Sequence, residues 1–295
     1  MSKVILLTGS SSGFGHLTVE TLARQGHTVF ASMRDVKGKN AESAEALLNQ
    51  ASRNGWDLHV VDIDITEDSS VRKGVDEVVG KAGRLDVLVN NAGRGSWGVT
   101  EGFTEDQLAH MFNINVFGAA RMNRAVLPHM REQGSGLLIH ISTLAGRLVI
   151  PFMVNYAAAK HALEALAEGY NFELSRFGVE SVIIEPQSYP TDGSLNKMLR
   201  PQDGARVEAY GDFAKQGEQM FQYNDQQLRG DEASNPQDVA DAVAKLVHTP
   251  AGQRPLRTVV GGPMTQLVKP INQTNDQVRK QLYGFMGFGE QARMS

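Results

Sequence analysis

Short apolar runs rich in valine, isoleucine and leucine recur along the chain, separated by longer stretches in which apolar residues return every three or four positions. The short runs predict strands at 3–8, 28–32, 58–62, 85–90, 137–141, 181–184 and 257–260. Their near-continuous apolar character, in place of alternation, is what a strand buried on both faces requires, and helices between such strands are the crossovers of a parallel sheet. Thr104 and Gln107 form a capping-box pattern that opens a helix through Leu108, Met111 and Phe112 and on past Asn115. Ser234 and Pro236 open another, through Val239, Ala242, Val243 and Leu246. The expected fold is α/β: one doubly wound, seven-stranded parallel sheet with helices on both faces, in a single domain over 1–262.

Two segments break this rhythm. From Thr191 to about 231 the chain is rich in Gln, Gly, Asp and Arg, with sparse apolar residues such as Leu195, Met198, Phe213, Met220 and Phe221, and no strand is predicted. An insertion of that length in a compact domain is functional or mobile. The tail, 263–295, carries scattered apolar residues (Leu267, Val268, Ile271, Val278, Leu282, Phe285, Phe288) and is expected to fold over its own domain or pack on a neighbouring subunit.

Composition narrows the function. The 295 residues are 41% hydrophobic and 21% charged, enough for one core without staples. A formal net charge of −4 offers no broad cationic surface, so neither nucleic acid nor a membrane is an expected partner. The absence of cysteine excludes disulfide frameworks, thiolate metal sites and cysteine nucleophiles. The eight histidines show no ligand spacing, and no metal is expected. With no apolar run near the roughly 20 residues that span a bilayer, and an N-terminal run too short for a signal peptide, the expected compartment is the cytoplasm.

The chemistry begins where the first strand meets Thr8-Gly9-Ser10-Ser11-Ser12-Gly13-Phe14-Gly15 and an amphipathic helix follows. Glycines there let backbone approach a pyrophosphate, and the helix N-terminus supplies N–H donors and a positive dipole. At the end of the second strand, where the adenosine ribose of a dinucleotide sits, an acidic residue would select NAD; Met33 stands there instead, followed by Arg34, a cation able to pair with a 2′-phosphate. NADP(H) is therefore expected over NAD(H). Tyr156 and Lys160 lie one helical turn apart on one face, and a cation there is expected to lower the phenol pKa from its usual value of about 10. Thr143, thirteen residues before Tyr156, ends the fifth strand at the sheet edge where open α/β sheets bind ligands.

These motifs, with Asp64, Asn90-Asn91-Ala92-Gly93, Asn115-Val116-Phe117-Gly118 and Ser142-Thr143, stand in an order and spacing that resemble the short-chain dehydrogenase/reductase (SDR) family, closely over about 1–190 and less closely over 235–262. The resemblance implies a Rossmann-like NAD(P)-binding fold. It implies that Gly9, Ser11, Ser12, Gly13, Phe14 and Gly15 form the phosphate-binding turn, that Asp64 and Ile65 flank the adenine, and that Asn91, Ala92 and Gly93 line the cofactor. It makes Tyr156 the general acid and Lys160 the residue that binds the nicotinamide ribose. Asn115 would hold a proton-relaying water, and Pro186 to Thr191 would cover the nicotinamide. It also makes 192–235 a substrate-binding lid, and implies a homodimer or homotetramer paired through helices near 104–130 and 156–177.

The chain departs from the family pattern at three places. The catalytic serine falls on Thr143, preferred over Ser142, which lies on the opposite side of the strand; the usual Pro-Gly is Pro186-Gln187; and the lid is long and Gln-rich. The expected function is hydride transfer between NADP(H) and a ketone, aldehyde or secondary alcohol, with an apolar, fairly large carbonyl compound as substrate. The alternative is a catalytically silent dinucleotide-binding regulator.

Overall fold

The computed structural model describes residues 2–191, 197–230 and 234–288; Leu195 and the tail beyond 288 lie outside them. All seven expected strands are present: β1 (Val4–Thr8), β2 (Thr28–Met33), β3 (Leu58–Asp62), β4 (Val87–Asn90), β5 (Gly136–Ile141), β6 (Val179–Pro186) and β7 (Arg257–Val260). They pair in parallel in the order β3-β2-β1-β4-β5-β6-β7. The order reverses between β1 and β4, so the glycine-rich turn after β1 and the Asn90–Gly93 turn after β4 open side by side at the carboxyl edge, where such sheets hold ligands.

The run Val4-Ile5-Leu6-Leu7 shows why these strands read as continuous apolar sequence. Successive side chains point to opposite faces, and both faces are covered. Ile5 and Leu7 join one core with Val19, Val29, Leu47 and Val243, beneath α1 (Gly13–Arg24), α2 (Ala41–Asn54) and α9 (Gln237–His248). Val4 and Leu6 join the other with Val71, Val75, Leu88 and Met122, beneath α3 (Asp68–Ala82) and α5 (Gly118–Gln133). Leu88 is fully buried in β4, so Leu88→Ala is expected to destabilise the fold by about 3 kcal/mol, measured as a lower urea midpoint at unchanged slope.

The helix opened by Thr104 is α4 (Glu105–Phe112), and its capping box is complete: the Thr104 hydroxyl accepts from the Gln107 N–H and the Gln107 side chain accepts from the Thr104 N–H. It continues past Asn115 through one π turn, Asn113–Phe117, into α5. The helix that carries Tyr156 and Lys160 is α6 (Val154–Leu174). The segment 197–230, in which no strand was expected, contains α7 (Gly204–Ala209) and α8 (Asp212–Leu228). The tail forms α10 (Lys269–Phe285), whose Asn272 side chain donates to Glu185 of β6 at 2.5 Å. No helix among the described residues is long and apolar enough to cross a membrane.

Candidate active site

Gly9 and Gly13 have φ of +71° and +57°, conformations that a side chain would strain. At Gly15 a Cβ would collide with the Gly9 carbonyl and come within 2.6 Å of Asn91 Nδ2, so the close turn depends on glycine. The first turn of α1 contains no acid, and the Ser12 side chain does not cap it, so its N–H groups and dipole remain available to an anion. Neighbouring hydrogen bonds fix the turn. The Thr8 hydroxyl accepts from the N–H groups of Asn91 (3.0 Å) and Ala92 (3.1 Å), while Asn91 Nδ2 donates to the carbonyls of Thr8 and Gly9.

At the end of β2, Arg34 is exposed. The acid beside it is engaged elsewhere: Asp35 accepts from the Lys39 N–H at 2.8 Å within its own turn. Asp64 Oδ1 accepts from the N–H and hydroxyl of Thr66, and Ile65 lies against Gly118, the first residue of α5. Ser11, Ser12 and Phe14 stand in the turn itself, and Phe14 meets the Tyr189 ring edge-on at 5.5 Å.

Gly93 lies beside the polar centre of the site. A Cβ there would sit 2.9 Å from Asn115 Oδ1 and 3.5 Å from Lys160 Nζ. Asn115 is buried in the π turn, and both of its amide N–H groups are engaged: it accepts from the Arg94 N–H and donates to the carbonyls of Arg94 and Met111. It therefore fixes the Gly93–Arg94 backbone. A π turn widens the helix locally and recurs at functional sites.

Lys160 is 3% exposed, with Nζ donating to the Ile141 carbonyl at 2.8 Å and lying 5.8 Å from the Tyr156 ring centroid. Helix spacing predicts a lowered tyrosine pKa, and here the structure corrects the sequence. Burial pushes the phenol up to about 12, and the Lys160 ammonium donates to a carbonyl on β5. Burial also pulls Lys160 down to about 8, against the pull of Glu164. Tyr156 is thus a neutral phenol across the physiological range, a proton donor by state. Ser142 and Thr143 separate as their strand positions require: Ser142 is buried and donates to Glu164, whereas Thr143 is half-buried at the strand mouth, its hydroxyl accepting from the Ala145 N–H at 3.3 Å.

The family model for short chain dehydrogenase matches residues 3–202, most of the chain. The chain belongs to the short-chain dehydrogenase family. It is 31% identical over 266 residues to a 3-ketodihydrosphingosine reductase of Bacteroides thetaiotaomicron, covering 90% of each chain. It is 33% identical to human 17-beta-hydroxysteroid dehydrogenase type 1, over 84% of this chain and 74% of that one. A solved short-chain dehydrogenase from Streptomyces avermitilis superposes with a TM-score of 0.78 at 30% identity, over 98% of this chain and 99% of that one. An actinorhodin polyketide ketoreductase crystallised with NADPH gives 0.72 at 26% identity, over 88% of this chain and 96% of that one. Membership makes the protein an oxidoreductase.

In this short-chain dehydrogenase the Pro186-Gln187 departure has a visible role. Gln187 has no positive φ, so its side chain costs no backbone strain. That side chain accepts from the Gly262 N–H at 2.9 Å and donates to Ser234 at 2.6 Å, tying the end of β6 to β7 and to the approach to α9. Thr191 lies over the glycine turn, where a Cβ on Gly13 would sit 3.4 Å from its own Cβ. The loop from Pro186 to Thr191 thus closes onto the glycine-rich turn.

The segment 197–230 contributes an apolar wall. A cavity of about 460 Å³ is lined by Trp97, Val99, Phe152, Pro201, Val207 and Ala214, among others, with Arg200 and Glu218 at its polar side. Neither Tyr156 nor Thr143 lines it; Phe152, which does, stands four residues before Tyr156 in the chain. Phe152 holds φ at +64°, a strained conformation for an aromatic residue. It stays there because its ring stacks between Trp97 (6.1 Å) and Phe213 (5.0 Å), its carbonyl accepts from the Gly98 N–H, and Gly217 of α8 leaves room. Trp97 and Phe152 line the cavity while remaining largely covered.

Proposed function

We propose that the protein is an NADP(H)-dependent carbonyl reductase, and a secondary-alcohol dehydrogenase in the reverse direction, with Tyr156 as general acid and base. The observation that carries the reading is the arrangement of Tyr156, Lys160 and Thr143 at the carboxyl edge, beside a Gly93 cradle that admits no side chain. The residues present fit a dinucleotide. Gly9, Ser11, Ser12, Gly13, Phe14 and Gly15 and the start of α1 would take the pyrophosphate, Arg34 the 2′-phosphate, Asp64 and Ile65 the adenine side, and Asn91, Ala92, Gly93, Pro186 and Thr191 the remainder. When bound, the nicotinamide supplies or accepts the hydride.

This chain's own residues manage the proton. Tyr156 holds it at the phenol oxygen and releases it to the carbonyl oxygen of the substrate. The Lys160 ammonium stabilises the phenolate left behind and binds the nicotinamide ribose. The Thr143 hydroxyl holds the substrate oxygen, its methyl group narrowing the approach. Asn115 keeps the Gly93–Arg94 backbone in place and would hold the water that returns a proton to Lys160.

The cavity beside Phe152 and Trp97 supports an apolar, fairly large substrate, as do relatives named for a ketodihydrosphingosine and a hydroxysteroid. Gly217→Val places a side chain against the Phe152 ring. It is expected to lower kcat/KM about tenfold for bulky carbonyls while sparing small ones, read from initial rates across a size series. A homodimer or homotetramer completes the proposal: Leu108, Phe117 and Leu166, large and exposed, mark the α4–α6 surface for a second copy. Light scattering is expected to give a multiple of 32.1 kDa.

A further inference from the structure

Ser142 was the rejected candidate for the catalytic hydroxyl, and its environment gives it another task. Two consecutive residues at the end of β5 are gripped by two consecutive turns of α6. The Ile141 carbonyl accepts from Lys160 at 2.8 Å, and the Ser142 hydroxyl donates to Glu164 at 2.7 Å. The residue after this double grip is Thr143, and the residue one turn before Lys160 on the same helix face is Tyr156. Gly146, in the turn that follows Thr143, makes the approach possible, because a Cβ there would collide with both Glu164 and the Ser142 hydroxyl.

Glu164 is 1% exposed on the core face of α6, a place for a carboxylate only if it is paired. Its pairing is extensive. Arg257 of β7, 3% exposed, reaches Glu164 at 3.2 Å, Glu168 at 2.7 Å and Glu185 at 3.3 Å, and Arg147 stands 3.9 Å from Glu164. The tail helix completes the group: Asn272 donates to Glu185, and Asp276 lies 3.9 Å from Arg257 and 3.6 Å from Arg279.

We propose that Glu164 is a positioning residue for the reaction: through Ser142 it sets the register of the Thr143 turn against the Tyr156–Lys160 helix, and through its charge it keeps Lys160 an ammonium. The proposal rests on the functional reading above. Lys160 faces Tyr156 and Glu164 on its own helix, His140 and the Ile141 carbonyl on β5, and Asn115 across Gly93. His140 is held neutral, pulled down to about 3 by burial and by Lys160, so it does not compete for the charge. Burial and the neighbouring Glu164 push Glu185 up to about 8. Burial raises the Glu164 carboxyl too, while the Ser142 hydroxyl, Arg257 and Arg147 draw it back toward the carboxylate.

The test uses the full chain with NADPH and two variants. Glu164→Gln keeps an acceptor for Ser142 but removes the charge, while Ser142→Ala removes the hydrogen bond but keeps the charge. For Glu164→Gln, the alkaline limbs of NADPH binding, followed by nucleotide fluorescence, and of kcat are both expected about one pH unit below wild type. For Ser142→Ala the limb is expected to stay in place while kcat falls about tenfold, with the Kd for NADPH unchanged. Ser142→Ala replaces a side chain by a smaller one of similar shape, so it keeps the proposal testable if Glu164→Gln fails to fold. Limbs and kcat values equal to wild type in whichever variants fold would overturn the proposal while leaving the reductase reading intact. A wild-type chain that bound neither nicotinamide nucleotide would overturn both.

Discussion

Tyr156→Phe is expected to lower the rate of carbonyl reduction about a thousandfold while leaving the Kd for NADPH within about twofold of wild type. The substitution removes one oxygen and keeps the ring, so the wall of the site and its contact with Lys160 persist. What is lost is the only proposed proton donor to the substrate oxygen. Because burial holds the phenol up near 12, wild-type Tyr156 carries its proton throughout the neutral range, and its own ionisation does not set the pH limit of reduction. That limit is expected to follow Lys160, whose ammonium loses its proton as pH rises through about 8, so reduction slows on the alkaline side. Stopped-flow or steady-state nucleotide oxidation, paired with fluorescence titration of NADPH, separates the rate effect from binding.

Arg34→Ala is expected to weaken NADPH about fiftyfold and to change NADH less than threefold. A guanidinium pairing a phosphate forms charge-assisted hydrogen bonds, and losing them at an exposed site costs about 2 kcal/mol. Arg34 is placed for this role: it follows buried Met33 at the end of β2, and the neighbouring acid, Asp35, is turned into its own loop toward Lys39. The preference falls further with salt, because an exposed ion pair is screened. Parallel KM determinations for the two nucleotides at low and high ionic strength check both parts.

The sheet was legible because burial on both faces forces strands into unbroken apolar runs such as Val4–Leu7, short, rich in Val, Ile and Leu, and recurring between amphipathic stretches. Where the run was interrupted, the boundary slipped. β6 was expected at 181–184 but spans Val179–Pro186, because Glu185 sits at a buried position that only Arg257 and Asn272 make tolerable, a pairing no local pattern reveals. The lid helices were missed for a related reason. Phe213, Met220 and Phe221 do fall on one face of α8, but Gly217 holds the intervening position, where it makes room for Phe152, and glutamines fill much of the rest.

At the site, the residues proposed to meet a cofactor through backbone or through fixed spacing stood out in sequence. Those that act through other residues did not. Gln187 appeared only as a departure, its side-chain bonds to Gly262 and Ser234 spanning distant parts of the chain. The strained φ of Phe152 follows from stacking across the lid, which sequence cannot show. Glu164 did carry a signal: it shares the core face of α6 with Ala157, Leu163 and Ala167, and a charge at such a position needs a partner.

The most direct test of the account is the initial rate of NADPH oxidation against aliphatic, aromatic, cyclic and steroid-like carbonyl compounds, with NADH in parallel and Tyr156→Phe as control. The account predicts carbonyl-dependent oxidation that favours NADPH, favours large apolar carbonyls and disappears in Tyr156→Phe. Tight NADPH binding with no oxidation by any carbonyl, or equal rates in wild type and Tyr156→Phe, would contradict it and point to a dinucleotide-binding regulator instead.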